Sequence, residues 1–175
     1  MARKGAQRSD PGRRPGSPAA AVVTAHASPS LEPGFALVVA LGIGLSLAIL
    51  YVHAQLTATH SAYTSFCNVN TRINCDAVLT SPYGRLLGVP VVLWALLTYA
   101  ALTVLLVVRR RAGGETRARA TLGLLALALW SFVFSLYMAG LAAFAIGAIC
   151  LLCSGLYVLN GALAVLAWRI ARAEA

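Results

Sequence analysis

The sequence predicts an all-α membrane protein: a four-transmembrane-helix bundle with an outward-facing loop that carries a short helix. Three observations lead there. Mean hydropathy is +0.79, and of 175 residues 59% are hydrophobic and only 11% charged, more apolar surface than a soluble domain of this length hides. The apolar residues gather into four stretches, each about the 20 residues that a helix needs to cross the hydrocarbon core. Basic residues flank those stretches in blocks, which in a membrane protein is an orientation signal. The same clustering excludes nucleic acid as the reason for the net charge of +9.

Taken in order, residues 1–33 are rich in Arg, Gly, Pro, Ser and Ala without periodicity and read as a disordered basic tail. The segment "AAAVVTAHAS" is too short, and follows too long and Pro-broken a tail, for a signal peptide. The spans are expected at Phe35–Leu56, Leu87–Val108, Thr121–Phe144 and Gly147–Trp168. Pro90 falls in the first turn of the second, where a missing N–H does no harm. No Asp, Glu, Lys or Arg lies inside these four spans, which argues against a transporter.

Sidedness follows from the distribution of Lys and Arg. The N-terminal tail carries Arg3, Lys4, Arg8, Arg13 and Arg14; the second connection carries Arg109, Arg110, Arg111, Arg117 and Arg119; the C-terminus carries Arg169 and Arg172. The first connection has only Arg72 and Arg85, and the third has no charge. Both termini and the second connection are therefore expected in the cytoplasm, residues 171–175 forming a short tail there. All four cysteines then fall on the outer side of a multi-pass protein of the cell membrane. Nothing in the cysteine count required that agreement.

Cys150 and Cys153 are spaced i, i+3 at the start of the fourth span, so they share a helix face. They are close enough to form a disulfide after a small adjustment, and a helix N-terminus favours the reactive thiolate. The alternative is that both are small buried hydrophobes. Cys67 and Cys75 bracket "NVNTRIN", a polar loop in which a structural disulfide is the ordinary expectation. Asp76 is a candidate cap for a short helix "AVLTS" that Ser81-Pro82 ends and after which Gly84 turns the chain. Such a helix could lie at the membrane surface and carry Cys75 towards Cys150. An electron pair entering at the loop would then pass by thiol–disulfide exchange to the helix pair, whose acceptor, in apolar surroundings, should be lipid-soluble, as a quinone is. Metal is not expected: His53 and His60 lack ligand spacing and no further ligand lies near the cysteines. Both histidines are placed near the outer interface without an assigned role. Trp94, Trp130 and Trp168 read as packing residues or interface anchors, and Tyr137 and Met138 as bundle core.

The stretch "CNVNTRINCDAVLTSPYGRLLGVP", followed two helices later by "CLLC", resembles the vitamin K epoxide reductase family in its bacterial disulfide-forming branch. The resemblance covers about Phe35 to Trp168, within a transmembrane domain over residues 34–170. It rests on the spacing of the loop cysteines, the Cys-Asp pair, the Ser-Pro-Tyr-Gly segment and the Cys-x-x-Cys opening the fourth span. It implies a four-helix bundle around a quinone, ubiquinone or menaquinone, as electron acceptor. By position it makes Cys150 and Cys153 the active-site pair, with Cys153 facing the quinone. Cys67 and Cys75 become a shuttle pair, Cys67 meeting an external thioredoxin-like partner and Cys75 meeting Cys150. Ser81 and Tyr157 match supporting positions, the Tyr157 hydroxyl being able to bond a quinone carbonyl. The animal enzymes place an Asn on the second span where this chain has an apolar residue near Val91, which favours plain quinone reduction over epoxide reduction. Many bacterial members carry a fused thioredoxin-like domain; here the partner is expected to be a separate protein. A different class also fits the composition: a small structural or transport membrane protein stapled by a loop disulfide. The other bacterial four-helix, quinone-coupled disulfide generator has its Cys-x-x-Cys before the loop pair, the reverse of the order here.

Overall fold

The computed structural model describes residues 31–59 and 63–174; the expectations for residues 1–30 and for His60 lie outside them. In chain order the elements are α1 (Leu31–Ala58), α2 (Cys75–Thr80), a tight helical turn Pro82–Gly84, a two-residue antiparallel pair β1 (Arg85–Leu86) and β2 (Val89–Pro90), α3 (Val91–Arg111), α4 (Gly114–Gly140), a π-helical segment Leu141–Ile146, and α5 (Leu151–Arg172). Four helices, with α4 counted through Ile146, are long and apolar enough to cross a membrane. The chain is an all-α four-helix membrane bundle. α1 packs on α3 and α5, and α4 packs on the same two.

Each helix buries one stripe. On α1 it includes Phe35, Val39, Gly42, Ser46, Ile49, His53 and Leu56, with Val52 beside His53; on α3 it includes Tyr99, Leu102, Leu106 and Arg109; on α4 it includes Thr121, Leu124, Ala128, Ser131 and Ser135. Steps alternate between three and four residues, a period of about 3.5, which keeps a seam facing its neighbour along the whole bundle. The outward faces are equally apolar, because lipid and not water surrounds them, so Tyr137 stands on the outside at 59% exposure and not in the core as its hydropathy suggested. Small residues let the helices approach: a Cβ on Gly42 would lie 2.4 Å from the Tyr99 ring.

The helix ends depart from the hydropathy boundaries in informative ways. α1 is described from Leu31, four residues before the expected start at Phe35, and includes Pro33. Pro90 is not inside α3 but caps it, with extended ψ of 133°. Gly147 adopts a left-handed φ of 71° and ends the π-helical segment, and residues up to Cys150 stay out of the helix, so α5 begins at Leu151. α3 runs on through Arg109, Arg110 and Arg111, past the expected end at Val108.

Arg109 is 1% exposed. The buried guanidinium is paired with Glu32 at the start of α1 and with Glu174 beyond the end of α5 at 2.6 Å. Its Nε donates to Thr121 Oγ1 on α4 at 2.9 Å. Arg117 also reaches Glu174, at 2.9 Å. One cation thus joins all four membrane helices at the end of the bundle opposite the cysteines, and a charge this deeply buried persists only because it is paired on every side. Burial alone would push the Glu174 carboxyl up; hydrogen bonds from Thr121 and Arg117 and the charge of Arg109 outweigh it, so its pKa lies below the ordinary carboxylate value. The folded state then holds fewer protons than the unfolded one, and the stabilisation is present above the ordinary carboxylate range and lost as pH falls through the depressed value. Glu174→Gln should lower stability at neutral pH by about 1.5–3 kcal/mol and flatten the acid limb of the melting temperature against pH in detergent. Parallel acid limbs for the two proteins would show that Glu174 does not carry this dependence.

Candidate active site

The loop after α1 is built from its own polar side chains. Asn70 Oδ1 accepts from the backbone N–H of Arg72 and Ile73 at 2.9 and 2.7 Å, turning the chain back. Asn74, and not Asp76, caps α2: its Oδ1 accepts from Ala77 N–H at 2.8 Å, the N-cap to third-residue bond that such side chains favour. Asp76 has another task. Its Oδ2 accepts from Asn68 Nδ2 at 2.8 Å and from Ser65 N–H at 3.2 Å, pinning the segment that holds Cys67 against α2. Cys67 and Cys75 are joined in a disulfide with a Cα separation of 5.9 Å, and both are buried.

This loop is strapped to the start of α5. Ile73 pairs with Ile149 in a parallel backbone bridge: Ile149 N–H donates to Arg72 carbonyl at 2.7 Å, and Asn74 N–H donates to Ile149 carbonyl at 3.0 Å. The bridge sets Cys75 and Cys150 just beyond a shared register point, in one buried cluster, 0% and 1% exposed. It also explains why α5 starts late, since Ile149 spends its backbone groups on the loop. Cys150 is the N-cap of α5, and its Sγ accepts from Cys153 N–H at 3.3 Å. The two cysteines are therefore cap and third helical residue, not two members of one helix face. Both are free thiols. The helix N-terminus and this N–H favour a thiolate at Cys150.

Below the loop a cavity of about 350 Å³ opens between the helices, within the range of small-molecule sites. Cys153 lines it; Cys150, Cys67 and Cys75 do not. Val78 and Leu79 of α2, Ser81 and Gly84 form its roof, and Tyr157 and Asn160 of α5 line it deeper in the bundle. Ser81 ends α2, its hydroxyl donating to Val78 carbonyl at 2.8 Å, which leaves its oxygen as an acceptor. Tyr157 makes no hydrogen bond among the described residues. Trp94 and Trp130 also line the cavity and are 38% and 67% exposed, so it reaches the lipid-facing surface. Val91 lines the cavity as well.

The sequence profile of the vitamin K epoxide reductase family matches residues 35–168. The chain belongs to that family. Membership makes it a membrane thiol–disulfide oxidoreductase, and the vitamin K epoxide reductase family generally uses a quinone as electron partner and is coupled to thioredoxin-like proteins.

The sequence assigns no role to His53, yet it is buried and lines the cavity from α1. Nor does it mark Tyr99 or Asn160, which also line the cavity. A signal for Asn160 existed: Cys153, Tyr157 and Asn160 stand at i, i+4 and i+7, the spacing of one helix face. Met138 faces the cavity, and Trp168 packs under Arg172, whose guanidinium carbon lies 4.2 Å from the ring centre. Among the described residues no group of three His, Cys, Asp or Glu side chains could hold a metal ion.

The roof depends on Gly84, where a Cβ would sit 2.8 Å from the Leu79 carbonyl oxygen. Gly84→Ala should force the turn away from α2 and cost about 1–3 kcal/mol, seen as a lower melting temperature and faster alkylation of Cys153. Wild-type melting and alkylation in this variant would mean that the roof gives way without consequence.

Proposed function

We propose that the protein draws an electron pair from a separate thioredoxin-like dithiol protein and delivers it to a membrane quinone, driving disulfide formation in other proteins. The observation that carries this reading is the division within the helix pair: Cys153 lines a lipid-accessible cavity, whereas Cys150 lies buried against the strapped loop that holds Cys75. One thiol faces a lipid-soluble acceptor and the other faces the donor pair. The cavity suits a quinone ring: it is walled mainly by apolar side chains, with the Tyr157 hydroxyl and the Asn160 amide as convergent polar groups.

The exchange balances as follows. A partner thiolate attacks Cys67 and displaces Cys75; the partner's second thiolate releases Cys67 and leaves the partner as a disulfide. The Cys75 thiolate attacks Cys150 of a Cys150–Cys153 disulfide and displaces Cys153. Cys67 then attacks Cys75, restoring the loop disulfide and freeing Cys150. The electron pair now rests on Cys150 and Cys153, which is the combination described above: a loop disulfide beside two free thiols. A bound quinone supplies the two-electron, two-proton sink that lets the Cys150–Cys153 disulfide re-form. Cys153 meets it, Cys150 closes the disulfide, and Tyr157 and Ser81 orient it. Cys67 is 1% exposed while Phe66 beside it is 76% exposed, so the partner reaches the sulfur as the loop opens around that aromatic foothold. The arginine-bearing end of the bundle is cytoplasmic and the cysteines are extracytoplasmic in this reading.

Cys153→Ala should abolish quinone reduction by the purified protein, below about one part in a thousand of wild-type turnover, with the bundle still folded by circular dichroism. Measurable turnover would remove Cys153 from its assigned place.

Cys67→Ala lacks the thiol that resolves the Cys75–Cys150 bond. That mixed disulfide should accumulate and be found by non-reducing peptide mapping, linking the loop peptide to the α5 peptide. Its amount should rise with added oxidised quinone and vanish in a Cys67→Ala, Cys75→Ala double variant. Without the link, or with a link indifferent to quinone, the loop disulfide is a staple and the relay is wrong.

A further inference from the structure

Asn160 is held by a chain of hydrogen bonds that runs across three helices. Tyr99 Oη on α3 lies 2.8 Å from Asn160 Oδ1, and Asn160 Nδ2 lies 2.8 Å from Ser135 Oγ on α4. Two hydroxyls alone would accept the amide either way round. The direction is decided one step further on. Ser135 gives its single hydroxyl proton to the Ser131 carbonyl at 2.9 Å, so towards Asn160 it can only accept. The amide nitrogen must face Ser135, the amide oxygen must face Tyr99, and Tyr99 must donate. The Tyr99 ring is in turn fixed by Gly42, where any side chain would collide with it.

Of the two amide protons on Asn160, one is committed to Ser135 and the other has no partner among the described residues. Tyr99, Ser131, Ser135 and Asn160 all line the cavity. The chain of donors therefore ends in one fixed N–H in the cavity wall, which cannot turn into an acceptor without breaking the Ser135 bond. Such a group favours an acceptor-only oxygen, as a carbonyl is, and its orientation is set before the ligand arrives.

We propose that Asn160 is a binding residue for the quinone, its free amide N–H donating to the carbonyl oxygen farther from Cys153 while the Tyr157 hydroxyl donates to the nearer one. The inference rests on the quinone reading above and adds to it a binding residue and the orientation of the ring. Tyr157 and Asn160 differ by three residues, a rise of about 4.5 Å along α5, comparable with the separation of the two oxygens across a para-quinone ring. The ring then stands along α5 with its upper edge towards Cys153. The site selects para-quinones in the oxidised form; the quinol, whose hydroxyl can donate to the Tyr99 oxygen, depends less on Asn160.

The test uses duroquinone, a fully substituted para-benzoquinone, and its quinol. Binding to the full chain in detergent is read from quenching of Trp94 and Trp130, both in the cavity wall, with thermal unfolding as the check on folding. Asn160→Leu should raise the Kd for duroquinone about tenfold and that for the quinol less. Ser135→Ala is the milder change. It frees the amide to turn and should raise the duroquinone Kd about threefold, which keeps the test open if Asn160→Leu does not fold. An unchanged duroquinone Kd in the folded variants overturns the Asn160 assignment. An equal loss for quinone and quinol also overturns it, since that is what a collapsed cavity would give. If the wild-type chain does not bind duroquinone at all, it is the quinone reading itself that fails.

Discussion

Two backbone hydrogen bonds between Ile149 and the Arg72–Asn74 segment hold the functional end of this molecule together. In a bilayer every backbone N–H and C=O needs a partner, and a helix usually provides it from within. Here the chain leaves helical geometry at Gly147 and does not resume it until Leu151, so Ile149 pairs with the loop instead. From that one exchange follow the burial of Cys75 beside Cys150, the placing of α2 as a lid, and the position of Cys150 as the cap residue of α5 with its sulfur on the helix N-terminus. A continuous helix through Cys150 would have satisfied the same groups and left the loop unattached.

The strap also separates two environments that the chemistry needs kept apart. Above it lie polar turns, the loop disulfide and Asp76, which ties Asn68 and Ser65 to α2. Below it lies an apolar cavity reached from the lipid face, with Cys153 in its wall. The i, i+3 spacing of the dithiol spans the boundary, with Cys150 buried beside the loop and Cys153 in the cavity wall, and under the proposed function an electron pair would cross it by thiol–disulfide exchange.

The opposite end of the bundle is closed by Arg109, which holds α1, α4 and the chain end after α5 to α3. Apolar seams alone give little preference for one register, because lipid tails are as good a neighbour as another leucine. A buried ion network at one end and a backbone bridge at the other supply that register. Between them the Tyr99–Asn160–Ser135 chain ties α3, α5 and α4 at mid-depth.

The sequence by itself determined the number and approximate place of the spans, the loop between the first two, and the family, because hydropathy over about 20 residues is set by the bilayer and the cysteine motifs are local. What it left open was which side of each helix faces inward. In water an apolar stripe contrasts with a polar face; in lipid both faces are apolar, so hydropathy assigns Tyr137 to the core and does not mark the inward side on which Asn160 stands. Capping was similarly not legible: the sequence pointed to Asp76, whereas Asn74, which caps equally well in isolation, is the N-cap. Only the tertiary structure assigned them, through Asp76's bonds to Ser65 and Asn68. Arg109 read as one of a run of connecting arginines, and its burial came from Glu32 and Glu174, 77 and 65 residues away in sequence. Contacts over such separations leave no periodic trace, and they decided the register, the cavity and the two ends of the bundle.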